Sequence, residues 1–337
     1  MEQCLYYIGG GGVELRAVED AGPPAAREVL IRTRLTLISP GTELAILTGA
    51  HRKVRSGLLH YPVKNWGYSC VGTIEAAGGE VEQFQVGDRV VYTLEGSHAS
   101  RVRAQVNGHL LQSIPDGLDD EAAVFASLGK IALHGVRQAG DTLGYPTAVV
   151  GLGLVGNLCA QILKLGGATP LAALELAEAR MEIARACGLT TFLRADAADL
   201  DPRVAELTSG KGFRRVFEAT GVAAGLMLAF RVASRRARAI LMSGLHLPGE
   251  IDLYTDFQMK EISLVAPHQP KCPATDEPYN PYTQQENLAL VLHWLRAGAL
   301  VTAPLITHQF RARAAQEAYD LLRLRKENVL GVILDWT

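Results

Sequence analysis

Three glycines and one carboxylate carry the first chemistry this chain offers. From residue 148 to residue 180 the sequence reads AVVGLGLVGNLCAQILKLGGATPLAALELAEAR. A short apolar run, 148–150, meets Gly151, Gly153 and Gly156. A helix-length segment follows, then a second apolar run, 171–174, which ends on Glu175. This order suits a dinucleotide. Gly151 permits a tight turn, Gly153 lets the backbone approach a pyrophosphate, and Gly156 lets the helix pack closely on the strand. The helix start at Leu154, Val155 and Gly156 presents N–H groups and the positive end of the helix dipole to phosphates. Glu175, about twenty residues on, is placed to accept both ribose hydroxyls. A carboxylate there repels a 2′-phosphate, which favours NAD(H) and leaves NADP(H) open, because Arg180 suits either a ribose or a phosphate. A βαβ unit that holds no nucleotide is the competing reading.

The same alternation continues downstream. A strand at 215–218, a strand within 233–244 ending at Ser243-Gly244, and a strand from 262 ending near Pro267-His268 follow, with helical stretches between them. Strands alternating with helices imply a parallel sheet whose ligands gather at the strands' carboxyl ends. Thr220, Gly221, Ser243, Gly244, Leu245, Pro267 and His268 fall there and join the expected cofactor contacts.

The first third of the chain reads differently. A four-glycine stretch at 9–12 suits a hairpin, and EVLIRTRLTLIS at 28–39 alternates as a half-buried strand. Residues 40–43, PGTE, read as a turn before an apolar helix-like piece, and 51–64 as a basic loop. Strands are expected at 67–76 and up to residue 91. Residues 118–139 form one helix with acids at its start and Arg137 at its end, as the helix dipole prefers. A loop rich in proline and tyrosine spans 271–285. Helices follow at 286–297 and 312–325, and a closing strand at 331–336.

With 337 residues the chain exceeds what one core usually serves, and its 48% hydrophobic and 20% charged content suits two globular domains. The formal net charge of -2 gives no general pull toward nucleic acid or anionic membrane. No apolar run is long enough to span a bilayer, and the first residues lack the basic-then-apolar pattern of an export signal. The five cysteines are scattered and odd in number, so reduced buried thiols and a cytoplasmic location are expected.

Taken together, PGTE at 40–43, GxVxxFxVGDRV at 79–90, GLGLVG at 151–156, FEATG at 217–221 and LITHQF…EAYDLL at 305–322 resemble the medium-chain dehydrogenase/reductase family across nearly the whole chain. FEATG and PLITHQF look closest to its polyol dehydrogenase branch. The resemblance implies an α/β fold: a doubly wound parallel-sheet (Rossmann) cofactor domain, 136–269, inserted in a GroES-like distorted β-barrel catalytic domain, 1–135 plus 270–337, with the active site in the interdomain cleft. It also implies a homodimer or homotetramer.

The departures from the family matter as much. Where zinc-dependent members have a cysteine, this chain has Pro40. Where they have a histidine and glutamate after a glycine, it has Tyr68 and Ser69, and the remaining ligand position falls on Ala126. The four-cysteine structural zinc cluster is missing too. Proline and alanine side chains cannot ligate zinc, so no zinc is expected at the family site. By the same alignment Lys130 falls beside the nicotinamide position, Tyr68 points at the substrate oxygen, Thr42 matches the hydroxyl of the family's proton relay, and Glu43 matches a supporting carboxylate. These four are the expected catalytic groups. The plainer alternatives are a solvated Lys130, a core Tyr68 and a helix-capping Thr42. The function expected is zinc-independent hydride transfer between a nicotinamide and a secondary alcohol or ketone, on a polyol, sugar or cyclitol derivative. Reduction of an activated alkene, or a dinucleotide-binding protein without catalysis, stay open beside it. No nucleic acid or membrane partner is expected, only a small-molecule substrate.

Overall fold

The computed structural model describes residues 1–20, 22–106, 110–244, 249–277, 282–325 and 327–337. Two compact units emerge: Met1–Ser127, Pro273–Gly298 and Leu305–Thr337 form the first, and Leu128–Cys272 with Ala299–Pro304 form the second.

In the first unit, β1 (Glu2–Gly9) and β2 (Gly12–Val18) make an antiparallel hairpin. Gly9, Gly10 and Gly11 all have positive φ, which explains the glycine run between them. Strand β3 (Glu28–Leu37) buries its aliphatics and exposes Arg32 and Arg34, as its alternation requires. It leads into α1 (Pro40–Leu47), so PGTE is the first turn of a helix rather than a free turn. A proline at the helix start loses nothing, since its missing N–H had no partner there. The basic segment is also less loop-like than expected. It contains α2 (Arg52–Arg55), capped by the His51 ring at 3.3 Å from the Lys53 amide, and β4 (Val63–Lys64), which pairs with β1.

Strand β5 (Cys70–Ala77) begins two residues after Tyr68, so Tyr68 precedes the strand on which it was expected. The reason is backbone pairing: the β3 ladder starts at Cys70, whereas Asn65 N–H donates to Leu5 and Gly67 accepts from Ser97. Strands β6 (Arg89–Tyr92), β7 (Arg101–Gln105) and β8 (Leu111–Ser113) follow, then α3 (Asp120–Ala123).

The helix expected over 118–139 is two helices, α3 and α4 (Ala126–Gln138). Between them the chain turns Val124 and Phe125 into the core, where Phe125 is wholly buried. The units divide inside α4 at residue 127, earlier than the 135/136 junction read from sequence, because the rest of α4 packs with the second unit. There Arg215 and Arg238 donate to the Ala139 and Gln138 carbonyls.

The second unit is a six-stranded parallel sheet. Its elements are β9 (Thr147–Val150), α5 (Leu154–Leu165), β10 (Leu171–Glu175), α6 (Glu178–Ala186), β11 (Phe192–Arg194), α7 (Leu200–Thr208), β12 (Phe213–Glu218), α8 (Ala223–Val232), β13 (Ala233–Leu241) and β14 (Ser263–Val265). The strand order is β11-β10-β9-β12-β13-β14. The central β9 is buried along its whole length, which accounts for its unbroken apolar run. Chain direction across the sheet reverses between β9 and β12, the place where such sheets open a ligand crevice.

The remaining elements return to the first unit: α9 (Gln284–Arg296), started by a Thr283–Glu286 capping box, then β15 (Ile306–Arg311), α10 (Ala315–Leu324) and β16 (Gly331–Asp335). Strand β15 was not expected from sequence. Strand β16 pairs with β15 on one side and β3 on the other. Residues 299–304 go with the second unit because Val301 N–H donates to Gln161 at 2.7 Å and Gln161 Nε2 donates back to the Val301 carbonyl at 3.0 Å.

Candidate functional site

In the second unit the glycine turn has the shape its spacing predicts. Gly151 has φ +92, and a Cβ there would lie 2.7 Å from Thr220 Cγ2. A Cβ on Gly156 would run into the Gly151 carbonyl oxygen. Gly153 is different: it caps α5 without any side-chain bond, and a Cβ there would meet nothing. The first backbone group of α5 to close back is Asn157 N–H, onto Gly153 at 2.9 Å, which leaves the amides of Leu154, Val155 and Gly156 without an intrahelical acceptor. Open space ahead of a twelve-residue helix, with glycine at the closest approach, fits a dinucleotide pyrophosphate.

Glu175 sits at the end of β10, but its carboxylate already has work within the protein. Oε2 accepts from Leu152 N–H at 2.7 Å, and Oε1 accepts from Leu176 and Ala177 N–H at 2.8 and 3.2 Å. The Arg180 guanidinium stands 3.8 Å from Oε2. Three amides and a cation take up most of its four lone-pair positions. Glu175 therefore braces the glycine turn, a role beyond the ribose contact read from sequence.

The loops after β12 and β13 meet at a residue the sequence reading passed over. Glu218 is wholly buried, and its Oε1 accepts from Thr220 N–H at 2.6 Å, Gly221 N–H at 3.2 Å and the Thr220 hydroxyl. Its Oε2 accepts from the Ser243 hydroxyl at 2.5 Å. The signal was present in FEATG, where an acid stands two residues before a hydroxyl and three before a glycine. Thr220, Gly221, Ser243 and Gly244 thus come together around one carboxylate. Strand β13 stops at Leu241, short of the expected end at Ser243–Gly244, and β14 stops at Val265, so Pro267 and His268 lie beyond it in a loop. Leu245 lies outside the described residues.

Lys130 is on α4 and is not the solvated helix residue of the plainer reading. It is 1% exposed, and burial pushes its amine down to about 8, opposed by nearby Cys272. One turn on, His134 is buried too; desolvation first, then His268 and Arg137, hold its imidazole below the ordinary value.

In the first unit, polar side chains gather where α1 begins. The Tyr68 phenol is hydrogen-bonded to the Ser39 hydroxyl and donates to Thr42 Oγ1 at 3.4 Å. Burial raises the Tyr68 pKa, with Ser39 and Thr42 opposing. Beneath this trio lies Glu43, which is not placed to touch a ligand: it is 0% exposed. Its Oε1 accepts from Ser39 N–H at 2.6 Å, and its Oε2 takes hydrogen bonds from Tyr7 at 2.8 Å and from Tyr319, with His98 Nε2 at 3.0 Å. Glu43 acts through Ser39. Sequence reasoning could not find His98, Tyr7 or Tyr319 as its partners, since they lie 55, 36 and 276 positions away.

The zinc positions of the resembled family hold Pro40 at the first turn of α1, Tyr68 within its hydroxyl trio, and buried Ala126. Neither Pro40 nor Ala126 offers a donor atom, so this set does not fit a zinc ion. Among the described residues, no three or more His, Cys, Asp or Glu side chains group so as to hold a metal.

A parallel sheet with a glycine turn at its reversal point is the architecture of a dinucleotide-binding unit, and the chain carries a second, β-rich unit as well. Residues 25–127 match the alcohol dehydrogenase GroES-like domain, and residues 155–275 match the zinc-binding dehydrogenase domain. An alcohol dehydrogenase of Cupriavidus necator is 25% identical, covering 99% of this chain and 98% of its own. A D-guloside 3-dehydrogenase of Shigella flexneri is 31% identical over 49% of this chain, which spans only 47% of that relative's length. The crystal structure of 2R,3R-butanediol dehydrogenase from Bacillus subtilis superposes with a TM-score of 0.81 at 20% identity, covering 99% of both chains. The chain belongs to the medium-chain dehydrogenase/reductase family, whose members are NAD(P)-dependent oxidoreductases.

Proposed function

We propose that the protein moves hydride between a nicotinamide and the carbon of a secondary alcohol or its ketone, without zinc, and with NAD(H) preferred. The observation that carries this reading is Tyr68, at a position where zinc-dependent members place a ligand, hydrogen-bonded to the Ser39 and Thr42 hydroxyls. A bound dinucleotide supplies the hydride donor or acceptor. The amides after Gly153 would hold its phosphates, and the Glu175 carboxylate would disfavour a 2′-phosphate.

In ketone reduction Tyr68 donates a hydrogen bond to the substrate oxygen as negative charge develops there, then gives up its phenolic proton to it. Ser39 and Thr42 turn their hydroxyls toward the phenolate that remains. In alcohol oxidation the same proton returns to Tyr68. Lys130, with an amine near 8, is a second proton donor within reach of neutral pH. The substrate class proposed is a polyol, sugar or cyclitol derivative, supported by the FEATG and PLITHQF motifs and by the guloside relative.

The test is a panel of polyols, sugars, cyclitols and their ketones, with enones alongside, run with both dinucleotides on protein whose metal content has been measured. Turnover of an alcohol–ketone pair that survives a strong chelator supports the reading. Turnover confined to enones points to alkene reduction instead. Stoichiometric zinc whose removal abolishes activity overturns the zinc-free proposal.

A further inference from the structure

The four hydrogen bonds to Glu218 join loops that arrive from different strands. Its Oε1 fixes the turn after β12 through Thr220 and Gly221, and its Oε2 reaches the loop after β13 through Ser243. The two loops touch: a Cβ on Gly221, whose φ is +77, would lie 3.5 Å from the Gly244 carbonyl oxygen. Thr220 in turn packs its methyl group over Gly151, the first glycine of the phosphate turn after β9. Space around the carboxylate is fully used, since a Cβ on Gly225 of α8 would run into the Thr220 hydroxyl. One buried acid is thus hydrogen-bonded to two loops and, through Thr220, packed against the third.

We propose that Glu218 is the positioning residue of the dinucleotide site, setting the mutual placement of the β9, β12 and β13 loops and hence the affinity for NADH. It does not touch the ligand. This inference rests on the reading that the protein binds a nicotinamide dinucleotide, and its test separates the two. Binding of NADH and NADPH to the full-length chain is followed by fluorescence titration, with far-UV circular dichroism and thermal melting as checks of folding.

The wild type binds NADH. Glu218→Ala weakens that binding about tenfold or more in folded protein, since hydrogen bonds to a charged group are lost. Glu218→Gln restores affinity to within about threefold, because its carbonyl still accepts from Thr220 and Gly221 while its amide donates to a reoriented Ser243 hydroxyl. Should Glu218→Ala fail to fold, Ser243→Ala removes the arm to the β13 loop, and Thr220→Val removes the hydroxyl bond and leaves the two backbone amide bonds in place; the first weakens NADH binding severalfold and the second by less. A folded Glu218→Ala, or a folded Ser243→Ala, binding NADH as the wild type does would overturn the inference, even with a lowered melting temperature. Glu218→Gln as weak as Glu218→Ala would also overturn it. A wild type that binds neither dinucleotide overturns the underlying reading instead.

Discussion

Glu43 Oε2 lies 3.0 Å from His98 Nε2, and both side chains are wholly buried. The contact ties the first turn of α1 to the segment between β6 and β7. The His98 Nδ1 atom continues the chain to Thr36 Oγ1 at 2.8 Å, which also accepts from Trp336 Nε1 at 2.9 Å. Burial alone raises the Glu43 pKa, but His98 and the Tyr319 and Ser39 donors outweigh it and hold the carboxyl below the ordinary range.

Removing one partner of such a group leaves the others buried without an acceptor. Glu43→Ala is expected to cost about 3–5 kcal/mol of stability, read from denaturant melts. A group whose folded pKa is depressed stabilises fully above its unfolded value and loses that contribution as pH falls through the folded one. The wild-type advantage over Glu43→Ala is therefore present at neutral pH and shrinks on acidification below the ordinary carboxylate range. An advantage that grows on acidification would refute this assignment.

Lys130 changes stability with pH in the same direction, but in an alkaline window and by relieving a burial penalty on its charge. Its folded value of about 8 lies below the ordinary lysine value of 10.5, so between these limits the unfolded chain binds the extra proton. Stability contributed at this position must then rise with pH from about 8 to 10.5, by about 3 kcal/mol in all. Urea melts of wild type and Lys130→Met across that window check it. The difference between them narrows as the amine is neutralised, and a flat difference rules out the lowered value.

Two glycines, two and five residues after Gly151, separate binding from folding. Gly153→Ala adds a methyl group that meets no protein atom, so the melting temperature stays near wild type while NADH binding falls about tenfold. Gly156→Ala drives a Cβ into the Gly151 carbonyl and destabilises the protein before any ligand is added. Equal losses of affinity and stability in both variants would contradict the assignment of the open space to the pyrophosphate.

The hydroxyl trio has a kinetic signature. Tyr68→Phe keeps the ring and removes the proton donor, with an expected loss of about 10²-fold or more in kcat and little change in KM. Ser39→Ala lowers kcat by about tenfold, and Ser39→Thr recovers most of it. Steady-state rates on the substrate found by the panel provide the measurement. Unchanged kcat in Tyr68→Phe would move the proton-transfer role to Lys130.

The dinucleotide half was legible because its signals are local. The glycine spacing, the uninterrupted apolar β9 and the acid ending β10 all lie within 33 residues, and each reflects a backbone demand that few side chains can meet. Glu175 shows the limit of that legibility: its position was readable, but its three amide partners depend on how the turn folds. The first unit was harder. PGTE looks like a turn because Pro40 and Gly41 usually break helices, yet Pro40 at a helix start breaks nothing. Tyr68 missed its strand because β5 begins where pairing with β3 becomes available, which no local pattern near Tyr68 reveals. The partners of Glu43 come from β1, α10 and the residue 98 segment, joined only by tertiary packing.

Strand β16 lies between β15 and β3, so residues 331–335 complete a sheet begun at residues 28–37. During synthesis on the ribosome the second unit emerges as the nearly continuous stretch 128–272 and has most of its sheet partners at once. The sheet of the first unit must wait nearly 300 residues for the strand that seals it, with the β3 edge at Leu35–Leu37 unpaired on that side meanwhile. That delay gives the nascent chain a vulnerable interval. It makes the Trp336–Thr36 bond one of the late events by which the α1 region, with Ser39 and Tyr68, acquires its final form.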